Sequence, residues 1–487
     1  MALKEELAGI VGSECVFDDP ETLDAYSKDL SFVKPVKPRV VVKPGSADEV
    51  QAIVRWANQT ATPLVPVSSG LPRFRGDTVP SVPGAVIVDL SGMKRVMRID
   101  RRNRVAMIEP GVTYSQLQPE LAREGLRLTT PLLPRASKSV VASLLEREPT
   151  LIPRQLWASL DPLRCTEIVW GDGQKLTTGD AGMWSSMEDA WERKQAPAGA
   201  TGPGQADFYR FVSAAQGSMG IVTWASVKCE ILPALHKLFF VPARRLDDLF
   251  DFTYQLLKFR FADELLLLNN ASLAYILGDG TDQIRALMEE LPPWVVLVGI
   301  AGRSILPRER VEFQEKDITD IARRFGLKLV PQIPGAPNGE VLKAVLNPSR
   351  EPYWKLGYKA GYQDILFLTT LNRTLEFITT MKSLAEANGY PASDIGVYIQ
   401  PLHQGANCHC EFILPFDRDN PGEANRMLQL FTRASKELLE QGVFFSRPYG
   451  IWANMAYGRD AQTTMVLKKL KGIFDPNNVM NPGKLCF

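Results

Sequence analysis

Residues 66–73 read Pro-Val-Ser-Ser-Gly-Leu-Pro-Arg, and what surrounds them restricts this chain more than any other stretch. Upstream, Val40-Val41-Val42 predicts a short strand, since β-branched residues suit a pleated, packed surface. Ser46-Ala47-Asp48-Glu49 is a capping box, and it opens a helix through Val50, Ile53, Val54 and Trp56. Pro63 to Val67 predicts a second strand that breaks into the small-residue loop, and Ala85 to Leu90 predicts a third. Strand, helix, strand and tight loop, in that order, bring main-chain N–H groups together where a phosphate can approach them. A nucleotide ligand is the expectation.

The chain has 487 residues, enough for two or three domains with sizeable cores. Its net charge of +1 gives no electrostatic case for nucleic acid or an anionic membrane as partner. Six cysteines, at 15, 165, 229, 408, 410 and 486, follow no framework spacing, so free thiols in a reducing compartment such as the cytoplasm are expected. The first residues, Met-Ala-Leu-Lys-Glu-Glu-Leu, carry acids and no long apolar core, unlike a signal peptide. No apolar run reaches the roughly 20 residues of a membrane span. Trp294 to Ala301 and Leu265 to Leu268 read as buried strand or helix.

Further along, Arg104 to Thr113 predicts a strand ending in a Pro-Gly turn, and Tyr114 to Glu124 a helix stopped by Gly125. Ile168 to Leu176 predicts a hairpin around Asp172-Gly173. Lys194 to Gln205 is a Pro/Gly/Ala loop. After Pro233 the pattern changes to strands and long amphipathic helices. The expected division is therefore 1–235, a second α+β unit at 236–440, and a tail at 441–487 that closes rigidly through Asp475-Pro476 to Lys484.

Five segments in order resemble the FAD-binding family of vanillyl-alcohol oxidase and 4-cresol dehydrogenase, which also holds D-lactate and glycolate dehydrogenase-like enzymes. They are the loop after Pro66, Glu109-Pro110-Gly111-Val112-Thr113, Ala136 to Arg147, Ala215 to Thr223, and the tail from Asp475 to Lys484. The resemblance implies a two-part FAD-binding domain of the p-cresol methylhydroxylase type, an α+β cap, and a tail returning to the FAD domain. For the cofactor it implies Ser68, Ser69, Gly70 and Leu71 at the pyrophosphate, with Arg73 as charge partner. Pro110, Gly111, Ser137, Ser139, Val140 and Ser143 would line the flavin and its ribityl chain. Gly217, Gly220, Ile221 and Val222 would approach it with backbone, and Asn481 and Lys484 would tie the tail down. Here Leu71-Pro72 stands where the family has small residues, and proline brings no N–H.

Only three histidines occur, and two of them, His403 and His409, fall within Leu402 to Glu411. If Cys408 to Leu414 is a strand, His409 and Glu411 share one face. Two imidazoles and a carboxylate suit Zn²⁺ or Mn²⁺. The hydroxy-acid branch of the family uses such a set with a later Glu, but this chain has Ser446-Arg447-Pro448-Tyr449 at that place. The preferred expectation is therefore no metal, with His403 and His409 lining the substrate pocket as hydrogen-bonding or proton-accepting groups. The aryl-alcohol branch implies a Tyr-Arg pair for a phenolate, a role for Arg447 and Tyr449, and a catalytic Asp, for which Asp161 is nearest. Three readings stay open. The first is an FAD-dependent dehydrogenase that takes hydride from an alcohol-like or phenolic carbon and hands electrons to a protein, a quinone or oxygen. The second is a D-2-hydroxy-acid dehydrogenase. The third is an electron-transfer or scaffold subunit, oligomeric or part of a larger redox complex, with no substrate of its own.

Overall fold

A computed structural model describes residues 2–153, 162–202 and 208–487. Asp161 and part of the 194–205 loop lie outside the described residues.

The first sheet has Val40–Val42, Val86–Asp89 and Leu64–Val67 paired parallel, with Val16–Phe17 antiparallel at the edge. The helix Ala47–Thr60 crosses over between Val40–Val42 and Leu64–Val67. Its cap is a variant of the expected box. Ser46 Oγ accepts from the Glu49 N–H at 3.2 Å, but Glu49 reaches one residue further back, to the Gly45 N–H at 2.7 Å. Val50, Ile53, Val54 and Ala57 are fully buried on one face of that helix.

The second sheet is antiparallel throughout, in the order Val96–Asp100, Val105–Ile108, Gly220–Lys228, Leu163–Trp170, Lys175–Thr177. The Asp172-Gly173 hairpin forms as the sequence predicts, with Gly173 at φ 82°.

The third sheet has six antiparallel strands: Leu235–Ala243, Trp294–Gly302, Glu264–Asn269, Gly396–Leu402, Asn407–Phe416 and Gly361–Thr369. Both of its faces are covered, which explains the continuous run Leu265-Leu266-Leu267-Leu268. Leu265 and Leu267 pack into one core, under the helices Phe250–Phe259, Pro307–Arg324, Thr374–Ala387 and Pro421–Glu440. Leu266 and Leu268 point the opposite way, into a second core with Leu132, Leu133 and Leu151 from the N-terminal part. The chain is thus stapled across its middle by apolar packing. Glu264 adds an ion pair there, meeting Arg127 at 2.8 Å and His236 at 2.7 Å.

The tail runs back to the first sheet. Met480 bridges Leu64 in parallel register, and the Asn481 N–H donates to the Leu64 carbonyl at 2.8 Å. Lys484 Nζ donates to the carbonyls of Gly76 and Val79, both at 2.7 Å. Lys471 pairs with Asp475 and donates to the carbonyl of Ser218. Asp475 in turn accepts from the N–H groups of Val479 and Met480. Two buried charges are used here to fix backbone.

Candidate active site

A long cleft runs between the loop ends of the first two sheets and the third sheet. Its first wall is nearly all main chain and small side chains: Pro66 to Ser69, Ala214 to Gly217, and Gly220 to Val222. Close backbone approach explains the glycines. A Cβ on Gly217 would stand 2.3 Å from Pro66 Cγ, and its φ of +68° is left-handed. A Cβ on Gly220 would stand 2.6 Å from the Val169 carbonyl oxygen. Among the described residues, the Ser68 and Ser69 N–H groups donate to no protein acceptor. Unpartnered N–H groups in a small-residue loop beside a long cleft fit a dinucleotide pyrophosphate.

The sequence-predicted cofactor residues divide. Ser68, Ser69, Arg73, Pro110, Gly217, Gly220, Ile221 and Val222 line the cleft. Arg73 does so with part of its guanidinium engaged. It lies 4.4 Å over the Tyr26 ring and donates through Nη2 to the Ala25 carbonyl at 2.8 Å, while its buried Nε has no hydrogen-bond partner among the described residues.

The others named stand behind the wall. Gly70 donates its N–H to the Ser137 carbonyl at 3.1 Å, and Ser137 Oγ donates to the Leu71 carbonyl at 3.2 Å. Leu71 is half exposed to solvent. Gly111 is wedged among the carbonyls of Leu90, Ser91 and Met93, where any Cβ would stand within 2.7 Å. Ser139 caps the short helix Val140–Leu145, accepting from the Ala142 N–H at 3.0 Å, and Val140 faces the apolar core. One helical step therefore moves the cleft-facing role from Val140 to Val141, Ala142 and Leu145. Asn481 donates to the carbonyls of Asp77 and Gln216, at 2.9 and 2.7 Å, and so acts on the wall from outside.

The second wall is charged and aromatic. It comprises Arg75, Glu148, Tyr353, Lys355, Tyr362, Tyr398, Glu411, Arg447 and Tyr449, drawn from six separate segments. Arg75 pairs with Asp364 at 2.5 Å, Asp364 with Lys355 at 3.3 Å, and Lys355 with Glu411. Burial pushes the Glu411 carboxyl up, but Lys355 and His409 outweigh it and hold the group well below the carboxylate range. Burial likewise opposes the Lys355 charge, and Glu411 more than restores it. The pair is ionised. His409 is buried behind it, 2.9 Å from Glu411 Oε2, with its pKa lowered chiefly by burial. It is a neutral ring donating to a carboxylate. Asp77, near the opening of this wall, is pushed up to about 6 by burial and by the Glu146 carboxylate.

Arg447 and Tyr449 therefore do line the chamber, and Arg447 is only 3% exposed. Among the described residues no carboxylate forms an ion pair with Arg447. The two histidines part company. His409 stands behind the chamber against Glu411 and the Tyr398 ring, and His403 does not line it, because a left-handed turn at His403 and Gln404 (φ 49° and 58°) carries the chain away toward the helix Phe250–Phe259. Among the described residues no group of three or more His, Cys, Asp or Glu is placed to hold a metal ion. The residues missed from the sequence had one visible signal. Tyr353, Trp354, Tyr358 and Tyr362 put four aromatics within ten residues around Lys355.

Residues 38–145 match the family described as FAD binding domain, and residues 280–485 match the family described as FAD linked oxidases, C-terminal domain. The chain carries an FAD binding domain and the C-terminal domain of FAD linked oxidases. It is an FAD-dependent oxidoreductase with the p-cresol methylhydroxylase-type fold. The D-2-hydroxyglutarate dehydrogenase of Stutzerimonas stutzeri (strain A1501) is 23% identical to this oxidoreductase over 504 residues, covering 99% of this chain and 98% of the other. The 4-ethylphenol oxidase of Gulosibacter chungangensis, solved with isoeugenol, superposes with a TM-score of 0.83 at 21% identity, over 99% of this chain and 96% of that one. A p-cresol methylhydroxylase with substrate bound gives 0.82 at 18%, over 100% and 96%. The main-chain wall is the part of the oxidoreductase that fits the pyrophosphate and ribityl chain of FAD.

Proposed function

We propose that this oxidoreductase dehydrogenates a small phenolic or benzylic alcohol-like compound, held by Arg447 and Tyr449 in the charged chamber. FAD, when bound along the main-chain wall, supplies the two-electron acceptor. The observation that carries the reading is Arg447: a nearly fully buried guanidinium with no ion-pair partner among the described residues. Glu148 is within electrostatic reach but makes no contact ion pair with it, so an anionic oxygen of the substrate is its natural direct partner. Tyr449 stands two residues on, in the same chamber, and offers a phenol hydroxyl to the same oxygen. Phe74, Tyr353 and Tyr362, with ring centroids 5.1–6.1 Å apart, give an aromatic ring flat surface to pack on. The chain's residues thus bind and orient the substrate.

A D-2-hydroxy acid is the second reading. It is favoured by the name of the full-length bacterial relative, and a carboxylate would meet Arg447 bidentately. The test is anaerobic bleaching of the flavin against 4-hydroxybenzyl alcohol, vanillyl alcohol, 4-ethylphenol, D-lactate and D-2-hydroxyglutarate. Bleaching by the aromatic set, lost in Arg447→Gln with FAD content unchanged, supports the proposal. Bleaching by the hydroxy acids alone overturns it in favour of the second reading. The electron acceptor, whether protein, quinone or oxygen, is found by following reoxidation.

A further inference from the structure

We infer that Glu148 is the proton acceptor of the chamber, the carboxylate that takes the substrate's hydroxyl proton as hydride leaves the neighbouring carbon. This rests on the dehydrogenase reading above and names a residue for it.

The geometry comes from a buried chain of donors behind the carboxylate. Tyr114 and Ser143 are both fully buried. The Tyr114 hydroxyl donates to Ser143 Oγ at 3.0 Å, and Ser143 Oγ donates to Glu148 Oε2 at 2.5 Å. The Glu148 N–H also donates to the Ser143 carbonyl at 3.1 Å, which fixes the backbone beneath the side chain. Oε2 is thereby occupied and held in place. Among the described residues Oε1 accepts no hydrogen bond, and its ion-pair partner Lys138 stands 3.9 Å away, beyond hydrogen-bond distance. The free oxygen belongs to a residue that lines the cleft and keeps a fifth of its side chain accessible. Of the other carboxylates that line the cleft, Glu411 is closed off by Lys355 and His409, Glu146 is paired with Lys138 through Oε1 alone, and Asp77 stands near the opening with its pKa pushed up. Glu148 is the one of these that a buried chain of donors, Tyr114 to Ser143, holds in place while leaving an oxygen toward the cleft.

The groups facing it are Lys138, Arg447 and Arg75, with Tyr353 and Tyr398 within electrostatic reach. Burial raises its pKa, but Lys138 and Arg447 pull it lower still, so the free protein holds it ionised. An anionic substrate oxygen at Arg447 cancels part of that pull. The acceptor then becomes more basic as the substrate binds. In the step itself the C–H bond gives its electron pair and hydrogen to the flavin, and the O–H proton goes to Oε1. A carbonyl forms, and water later removes the proton from Glu148.

The experiment uses FAD-loaded protein and the variant Glu148→Gln. Two readouts are taken: single-turnover flavin reduction by whichever compound above bleaches the wild type, and the Kd of 4-hydroxybenzoate, an unreactive anion, from its perturbation of the flavin spectrum. The expected result is full FAD content, reduction slowed 10²–10⁴-fold, and 4-hydroxybenzoate bound several-fold tighter, since a like charge has gone. Reduction at the wild-type rate overturns the assignment. If no compound bleaches the wild type, the substrate reading fails by itself. Glu148 is then judged on 4-hydroxybenzoate, and an unchanged Kd overturns its place in the chamber. Should Glu148→Gln lose FAD, Glu148→Asp carries the test: slowed reduction with FAD retained supports the role, and a wild-type rate overturns it. Ser143→Ala gives a separate check on the positioning chain. Loss of a hydrogen bond to the carboxylate raises its pKa, so the acid limb of the reduction-rate profile moves to higher pH.

Discussion

Ser68, Ser69 and Gly217, on one wall of the cleft, offer main chain and almost no side chain. Arg75, Lys355, Glu411 and Arg447, on the other, offer charge. The two walls fail in different ways. A main-chain wall depends on what its residues lack, so an added Cβ ruins it. A charged wall depends on every partner being present, because each buried ion is tolerated only through its neighbours. The first wall should therefore govern FAD retention, and the second stability and substrate.

The largest effect is expected from Lys355→Met. Lys355 is 6% exposed and pairs with both Glu411 and Asp364. Its loss leaves Glu411 buried beside only His409, at a cost of about 3–5 kcal/mol. Denaturant unfolding measures this. The contrast between the walls breaks if the variant keeps wild-type stability and loses FAD instead.

Glu264 tests the seam between the N-terminal part and the third sheet. Burial opposes its charge, but Arg127 and His236 hold its pKa down at about 2. A carboxyl depressed in the folded state adds stability that is fully present above its unfolded value, near 4.3. That stability is lost as pH falls toward 2. The size is roughly 3 kcal/mol at neutral pH. Glu264→Gln should thus be less stable than wild type at pH 7, with the gap narrowing between about pH 4.3 and 2. A gap independent of pH would show that the loss comes from packing and not from charge.

Gly217→Ala comes next, at about 1–3 kcal/mol for a strained left-handed residue pressed on Pro66. FAD per chain, from the visible spectrum after gel filtration, should fall several-fold. A variant that keeps its FAD but loses turnover would reverse the roles given to the two walls.

The main-chain wall was legible because its parts are local. A capping box, a small-residue loop after a strand and a Pro-Gly turn each announce themselves within ten residues, and the resemblance of five such segments, in order, to the FAD-binding family implied the fold. What local reading missed was the register at Val140, where the helix begins one residue before its cleft-facing side. The charged wall is different in kind. Arg75 meets Asp364 across 289 positions, and Lys355 meets Glu411 across 56. Neither pair has a spacing that a sequence can display, because strand pairing in the third sheet sets Asp364 beside Glu411 and two separate segments outside the strands bring Arg75 and Lys355 to them. The strand at 407–416 was readable, and with it the shared face of His409 and Glu411. That His403 turns away was not, since it depends on two left-handed residues that are not glycine.

These two histidines supply the smallest and most discriminating prediction. Both looked equally chemical in sequence, yet only His409 acts on the chamber, and it acts through Glu411. His409→Gln keeps a donor near Glu411 Oε2, and His409→Ala removes it. The alanine variant leaves one charged oxygen short of a partner, a cost of about 1–3 kcal/mol. It frees Glu411 to move, so flavin reduction should slow by about tenfold, with the glutamine variant recovering much of that loss. His403→Ala should leave FAD content and reduction within about twofold of wild type, because His403 does not line the chamber. If instead His403→Ala slows reduction and His409→Ala does not, the chamber extends past Leu402 toward the helix Phe250–Phe259. The charged wall would then end at Tyr398 and Glu411 only in the protein without its substrate.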